Sequence, residues 1–169
     1  MKSEELKQLG LELVCGPVPG RHVYLWYGNP NALLPLLPEG LVESLDITRL
    51  MACEERLPTA SREARRRIDK ALRARLQGLA SQLAKENCRQ ILVVTGTELI
   101  ARYGVGLVPF YDEYVSDKTM VILIAYQVAD SSPVLENLPD FTTLAPDATY
   151  RYIRSVLESE DAVVSNEEE

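Results

Sequence analysis

The sequence contains few of the residues from which metal sites and disulfide frameworks are built. It has one histidine, His22, and three cysteines, Cys15, Cys53 and Cys88, among 169 residues. The cysteines are odd in number and widely separated, and no second histidine or nearby cysteine stands at ligand spacing from His22. We therefore predict no disulfide framework and no metal site, and we expect the cysteines to pack as small buried apolar side chains.

Long apolar runs are also missing. No run approaches the roughly 18 residues that cross a bilayer, and residues 1–6 contain no apolar signal-peptide core. These absences predict a cytoplasmic protein with no membrane partner. The length and the 46% content of hydrophobic residues suit one well-buried core, so we predict a single domain over residues 1–157.

The formal net charge of −7 is concentrated near the end of the chain. Residues 158–169 carry six acidic side chains, no basic one and no apolar periodicity. This composition predicts a disordered acidic tail. Because the rest of the chain is nearly neutral, the net charge alone does not exclude a nucleic-acid partner.

Two stretches have the apolar spacing of amphipathic helices. Leucines recur at helical intervals near the N-terminus, which predicts a helix over residues 1–15. A longer helix is predicted over residues 61–86, because its apolar side chains recur every three or four residues and form one narrow stripe. That stripe consists of Ile68, Leu72, Leu76, Leu79 and Leu83.

Four segments read as strands, at residues 22–27, 41–47, 91–95 and 120–126. The last two are continuous apolar runs, which is typical of strands buried on both faces of a parallel sheet. Strands alternating with helices imply right-handed crossovers. The predicted fold is a three-layer α/β domain with a mostly parallel sheet of about four to five strands and flanking helices.

The first predicted strand leads into a tight turn where a phosphate-binding loop would sit. Ligands of open α/β sheets bind in the crevice at the carboxyl ends of the strands, which makes Gly28, Asn29 and Asn31 crevice candidates. A functional P-loop also needs a lysine and a Ser or Thr after its glycines, whereas the next lysine here is Lys70. Pro30 moreover lacks a backbone N–H. A plain turn and ligand contact without hydrolysis both remain open.

The strand that starts at Ile91 offers a second pair of crevice candidates, Thr95 and Glu98. In P-loop enzymes the matching strand ends in an acidic residue that holds Mg²⁺. Thr95 stands at that position, and Glu98 follows one turn later. Glu98 could orient a water molecule, or it could simply favour the start of a helix.

Over residues 22–154 the chain resembles, in the order and spacing of its segments, the small P-loop protein of BREX phage-defence systems (BrxF-like). The corresponding stretches are residues 24–31, 44–50, 92–99 and 107–123. The resemblance implies a P-loop-NTPase-like fold and a role in phage defence. Because both nucleotide-handling motifs depart from the pattern, it implies a member that does not hydrolyse nucleotides and needs no cofactor.

Two surface stretches are candidates for partner contact. Seven basic and two acidic side chains lie between Arg62 and Arg75, enough to contact several phosphates, although a solvated helix face is the simpler interpretation. The segment 102–114 combines tyrosines with an arginine, as interfaces often do, although core packing explains part of it. The surface candidates are Arg66, Arg67, Lys70, Arg73, Tyr103 and Tyr111.

Three functional hypotheses follow. The preferred one is a non-catalytic P-loop-like subunit or adaptor of a multi-protein assembly, with a protein partner or a second copy of the chain. The first alternative is a nucleic-acid-binding module that uses the basic helix at residues 62–75. The second is an enzyme with an unrecognised carboxylate site at Asp46, Glu98 or Asp112.

Overall fold

The computed structural model describes residues 3–26, 30–52, 61–124 and 163–164. The helices are α1 (Ser3–Cys15), α2 (Pro30–Leu33), α3 (Ile47–Ala52), α4 (Ser61–Glu86), α5 (Glu98–Tyr103) and α6 (Val108–Glu113), and a short 3-10 turn (Leu34–Leu36) follows α2. The strands are β1 (His22–Trp26), β2 (Val42–Asp46), β3 (Gln90–Thr95), β4 (Thr119–Ile124) and β5 (Val163–Val164).

The strands form one sheet in the order β2, β3, β4, β1, β5, and every described pairing is parallel. Val121 of β4 pairs with Val23 of β1 on one side and with Leu92 of β3 on the other. β4 therefore lies between β1 and β3. The predicted α/β fold with a parallel sheet is confirmed.

Helices cover both faces of the sheet, as a three-layer fold requires. Alternate strand residues enter two separate clusters: Leu92 and Val121 join helices α3, α4, α5 and α6, whereas Ile91 and Met120 join α1 and α2. We call the two sides the α4 face and the α1 face. Because side chains alternate along a strand, the continuous apolar runs of β3 and β4 supply both clusters.

The long helix α4 lies on the sheet through its apolar stripe. Ile68, Leu72 and Leu76 are fully buried, and Leu79 and Leu83 are nearly so. Glu63 in the first turn and Lys85 in the last turn complement the helix dipole. On the other face, α1 buries Leu6 and Leu13.

The expectation that the cysteines are buried is wrong for the two that the structure describes. Cys15 and Cys88 are free and exposed. Cys15 ends α1 two residues after buried Leu13, which places it off the buried stripe, and Cys88 follows the end of α4. Cys53 lies outside the described residues.

The connections between strands change direction within the sheet. The connection from β1 to β2 runs on the α1 face and crosses over β4 and β3 to reach the edge of the sheet. The chain returns through β3 to β4 by way of α3 to α6 on the α4 face. The winding direction therefore reverses between β1 and β4, and in open α/β sheets ligands bind outside the carboxyl ends of strands at such a switch point.

Candidate functional site

The candidate site is the carboxyl edge of the sheet, where residues from several strands converge. Of the candidates after β1, Gly28 and Asn29 lie outside the described residues, and Asn31 is exposed on α2. Residues 125 and 126 of the predicted last strand also lie outside the description, as do residues 158–162 and 165–169 of the predicted tail. The described part of the site consists of the carboxyl ends of β2, β3 and β4 and of Asn31 on α2.

The end of β3 is joined to the end of β4 by one buried hydroxyl. Thr95, the last residue of β3, is exposed, and Gly96 turns the chain with a φ of 72°. Thr97 is 2% exposed and donates a hydrogen bond from Oγ1 to the backbone oxygen of Ile124 at 2.7 Å. Thr97 therefore ties the start of α5 to the carboxyl end of β4, and it does not cap α5 with its side chain.

Asp46, the last residue of β2, and Glu98, the first carboxylate after β3, meet at Thr48. The backbone N–H and the hydroxyl of Thr48 donate to Asp46 Oδ1 at 2.9 Å and to Glu98 Oε1 at 3.0 Å. Asp46 Oδ1 also accepts from the backbone N–H of Arg49 at 3.4 Å. Asp46 thereby satisfies two amides at the start of α3, as an N-terminal capping residue does.

A close backbone approach holds this arrangement together. A Cβ atom at Gly96 would lie 2.7 Å from the backbone nitrogen of Thr48 and 2.9 Å from Asp46 Oδ1. Only glycine fits there, because the backbone also has positive φ. The turn after β3 and the start of α3 are therefore packed directly against each other.

Glu98 is held on the far side of the sheet from β1. Its partner Thr48 follows β2, and β3 and β4 lie between β2 and β1. With strands about 4.8 Å apart, the ends of β2 and β1 are separated by roughly 14 Å. The structure thus brings Glu98 together with Asp46 through Thr48, on the β2 side of the sheet.

Within the described ranges, no group of three or more His, Cys, Asp or Glu side chains is arranged to hold a metal ion. Both ring nitrogens of His22 already have protein partners: Nε2 lies 3.0 Å from the backbone oxygen of Pro19, and Nδ1 lies 2.8 Å from the hydroxyl of Tyr24. A carbonyl oxygen can only accept, so the tautomer protonated at Nε2 satisfies both contacts.

The basic side chains of α4 differ in their surroundings. Arg66 and Lys70 are exposed, whereas Arg67 is half-buried and pairs with Glu63 at 3.2 Å. Within the described part of the chain Arg66 and Lys70 have no ion-pair partner, so the helix presents unpaired and paired cations side by side.

Arg73 is the most heavily engaged of these cations. Its guanidinium contacts Asp69 at 2.9 Å on its own helix and, across to α6, Asp112 at 3.3 Å and Glu113 at 3.2 Å. Partial burial lowers the pKa of Arg73, but the hydrogen bonds and charges of these carboxylates outweigh it and raise the pKa overall. Gln77 donates to the other oxygen of Glu113 at 2.9 Å. Arg73 and Asp112, both singled out from the sequence, are thus joined in a link between α4 and α6.

The two tyrosine candidates lie against the core of the α4 face. Tyr103 on α5 and Tyr111 on α6 are half-buried and pack against this cluster. Burial raises the pKa of the Tyr111 hydroxyl, and the positive charge of Arg21 opposes this. Each ring therefore has a buried part and an accessible part.

Sequence reasoning chose Thr95 and Glu98 from this stretch and missed the contacts of Thr48, Gly96 and Thr97, which organise this edge of the sheet. Their contacts join residues 50 and 27 positions apart, which periodicity does not detect. The available signal was local: a glycine between two threonines directly after a buried strand is a turn of restricted shape.

No helix in the described ranges is long and apolar enough to cross a membrane. Comparison of the chain with protein-family models, with curated proteins and with solved structures gives no match.

Proposed function

We propose that the chain is a non-catalytic, P-loop-like subunit of a multi-protein assembly, such as a phage-defence complex. The proposal is supported by a parallel, doubly wound sheet with a switch point beside β1, the strand that precedes the turn predicted at Gly28. The sequence supplies no lysine for an outer phosphate in that turn.

The observation that carries the proposal is the end of β3. Mg²⁺-dependent phosphoryl transfer needs a carboxylate near the phosphates. Thr95 occupies the strand end, and the first carboxylate after it, Glu98, is hydrogen-bonded to Thr48 on the β2 side. A scaffold in which β3 ends in Thr95 and not in an acid suits a role in shape and contact rather than in nucleotide hydrolysis.

A contact role is further supported by an exposed apolar area on α1. Leu11 and Val14 are 49% and 44% exposed and lie on neighbouring turns of the helix. Leu11 lines a cavity of about 470 Å³ formed by α1 and the proline-containing segment after it. Exposed apolar side chains next to a concave surface are typical of protein–protein contacts.

The catalytic half of the proposal is tested with ATP and Mg²⁺. We expect no Mg²⁺-dependent phosphate release above the rate of a buffer control. Calorimetry on the same sample distinguishes nucleotide contact without turnover from no contact. Micromolar ATP binding accompanied by Mg²⁺-dependent turnover would overturn the proposal.

The assembly half is tested by purifying the full chain with its native partners from its own cells. Exchange of Leu11 and Val14 for Asp should release the partners while leaving the fold intact, because both side chains are exposed. Leu34→Asp is the matched control, since Leu34 is 54% exposed and does not line the α1 cavity. A chain that purifies alone and monomeric would contradict the assembly role.

A further inference from the structure

The first half of α4 carries a row of cations with one spacing and one orientation. Arg62, Arg66 and Lys70 are four residues apart, so they lie on neighbouring turns along one side of the helix. At 1.5 Å per residue the row is roughly 12 Å long. All three side chains are exposed.

These cations have no ion-pair partner among the residues that the structure describes. The two acids in this part of the helix are already occupied: Glu63 pairs with Arg67, and Asp69 pairs with Arg73. The positive charge of the row is therefore not neutralised by its own helix. Beyond Lys70 the surface changes sign, because Asp112 and Glu113 gather around Arg73.

We propose that Arg62, Arg66 and Lys70 bind the phosphodiester backbone of a double-stranded nucleic acid, without reading its sequence. Phosphates are the ligands that a row of unpaired Arg and Lys side chains suits best. α4 contains no aromatic residue on which unstacked bases could stack, which disfavours a single strand. The inference is independent of the proposed role as an assembly subunit.

The net charge of the chain makes the proposal easy to test. A protein with a net charge of −7 is repelled by nucleic acid overall, so any binding has to come from a local surface. Three phosphate contacts predict a slope of about −2.7 for the logarithm of the binding constant against the logarithm of the salt concentration. The affinity should then fall roughly 40-fold between about 50 and 200 mM NaCl.

The experiment is fluorescence anisotropy of the full chain with a labelled duplex of about 20 base pairs of arbitrary sequence. Exchanging Arg62, Arg66 and Lys70 together for Gln should weaken binding at least about tenfold at low salt and flatten the slope. The matched control exchanges Lys7, Arg75 and Lys85 for Gln. These cations are equally exposed and lie off the row, and the net charge changes by the same amount.

We expect the control variant to bind within about twofold of the parent chain, and a duplex of unrelated sequence to bind equally well. Circular dichroism of both variants checks that the fold is retained. The proposal is overturned if the parent chain fails to bind duplex at about 25 mM NaCl, or if both variants weaken binding equally. It is also overturned if the parent chain binds polyglutamate but not duplex. A single strand that binds more tightly than the duplex would also contradict it.

Discussion

The hydroxyl of Thr97 donates a hydrogen bond to the backbone oxygen of Ile124 at 2.7 Å, and this bond joins the turn after β3 to the last described residue of β4. The bond lies next to the switch point between β4 and β1, where a ligand of this fold would bind. The shape of the candidate crevice therefore depends on a residue whose own side chain is buried.

Thr97→Val should destabilise the protein by about 1–3 kcal/mol, because it removes the donor and leaves the part-buried carbonyl oxygen of Ile124 without this partner. Thr97→Ser keeps the hydroxyl and should cost less. The measurement is urea unfolding followed by the fluorescence of Trp26, the single tryptophan, which is fully buried. Equal stability of the Val variant and the parent would show that the bond contributes nothing.

Gly96→Ala should be among the most damaging single substitutions, with a cost of more than about 2 kcal/mol. It combines positive φ with a Cβ position 2.7 Å from the nitrogen of Thr48. Gly40→Ala is the matched control, since Gly40 has a φ of 83° but no atom within 4 Å of its Cβ position. The difference between the two variants measures the close contact separately from the backbone strain. If both variants lost the same free energy of unfolding, the structure would accommodate the close contact with Thr48 at little cost.

Arg73→Leu should lower the free energy of unfolding by about 1–2 kcal/mol, because it removes the cation shared by Asp69, Asp112 and Glu113. Side-chain exposure of 30% keeps this value modest through solvent screening. Arg67→Leu, which breaks one pair within α4, should cost only about 0.3 kcal/mol. Urea unfolding at low and high salt checks both values. The decrease in the free energy of unfolding caused by Arg73→Leu should become smaller as the salt concentration rises. A loss that does not change with salt would assign the effect to packing.

We expect the folded protein to lose stability at alkaline pH because of the buried hydroxyl of Tyr114. Burial raises its pKa, the negative charge of Glu43 raises it further, and its hydroxyl donates to Gln90 Oε1 at 2.9 Å. The neutral phenol is thus favoured in the folded state, so its contribution is complete below the unfolded-state pKa of about 10 and is lost as the pH rises toward the folded-state pKa. Relative to Tyr114→Phe, the parent should lose about 1 kcal/mol by pH 11. Parallel pH profiles for the two proteins would contradict this.

The features that the sequence predicted are those carried by local pattern. The continuous apolar runs around Val93 and Ile122 predicted a parallel sheet covered on both faces, because strands buried on both sides have no polar alternation. The winding direction between β1 and β4 was not accessible, since it depends on which strands pair rather than on what each strand contains.

The candidate site was less accessible because its contacts are distant in the chain. Glu98 was recognised as a carboxylate after a strand, but its partner Thr48 lies 50 residues away. Arg73 was grouped with the other basic surface candidates of α4 because its partners on α6 lie 39 and 40 positions further on. Cys15 was expected to be buried from the general behaviour of cysteine, which does not report the helix face that a residue occupies.

The division of the core by the sheet has a consequence for how the molecule opens. Among the described residues, the α1 face is covered by α1 and α2, whereas the α4 face is covered by four helices, one of which is the 26-residue α4. Amide hydrogen exchange should therefore differ between the two faces. The amides of α1 should exchange early, through local detachment of the helix, and those of β3 and β4 should exchange last. The layer that carries the exposed Leu11 and Val14 is then also the layer that is most easily released.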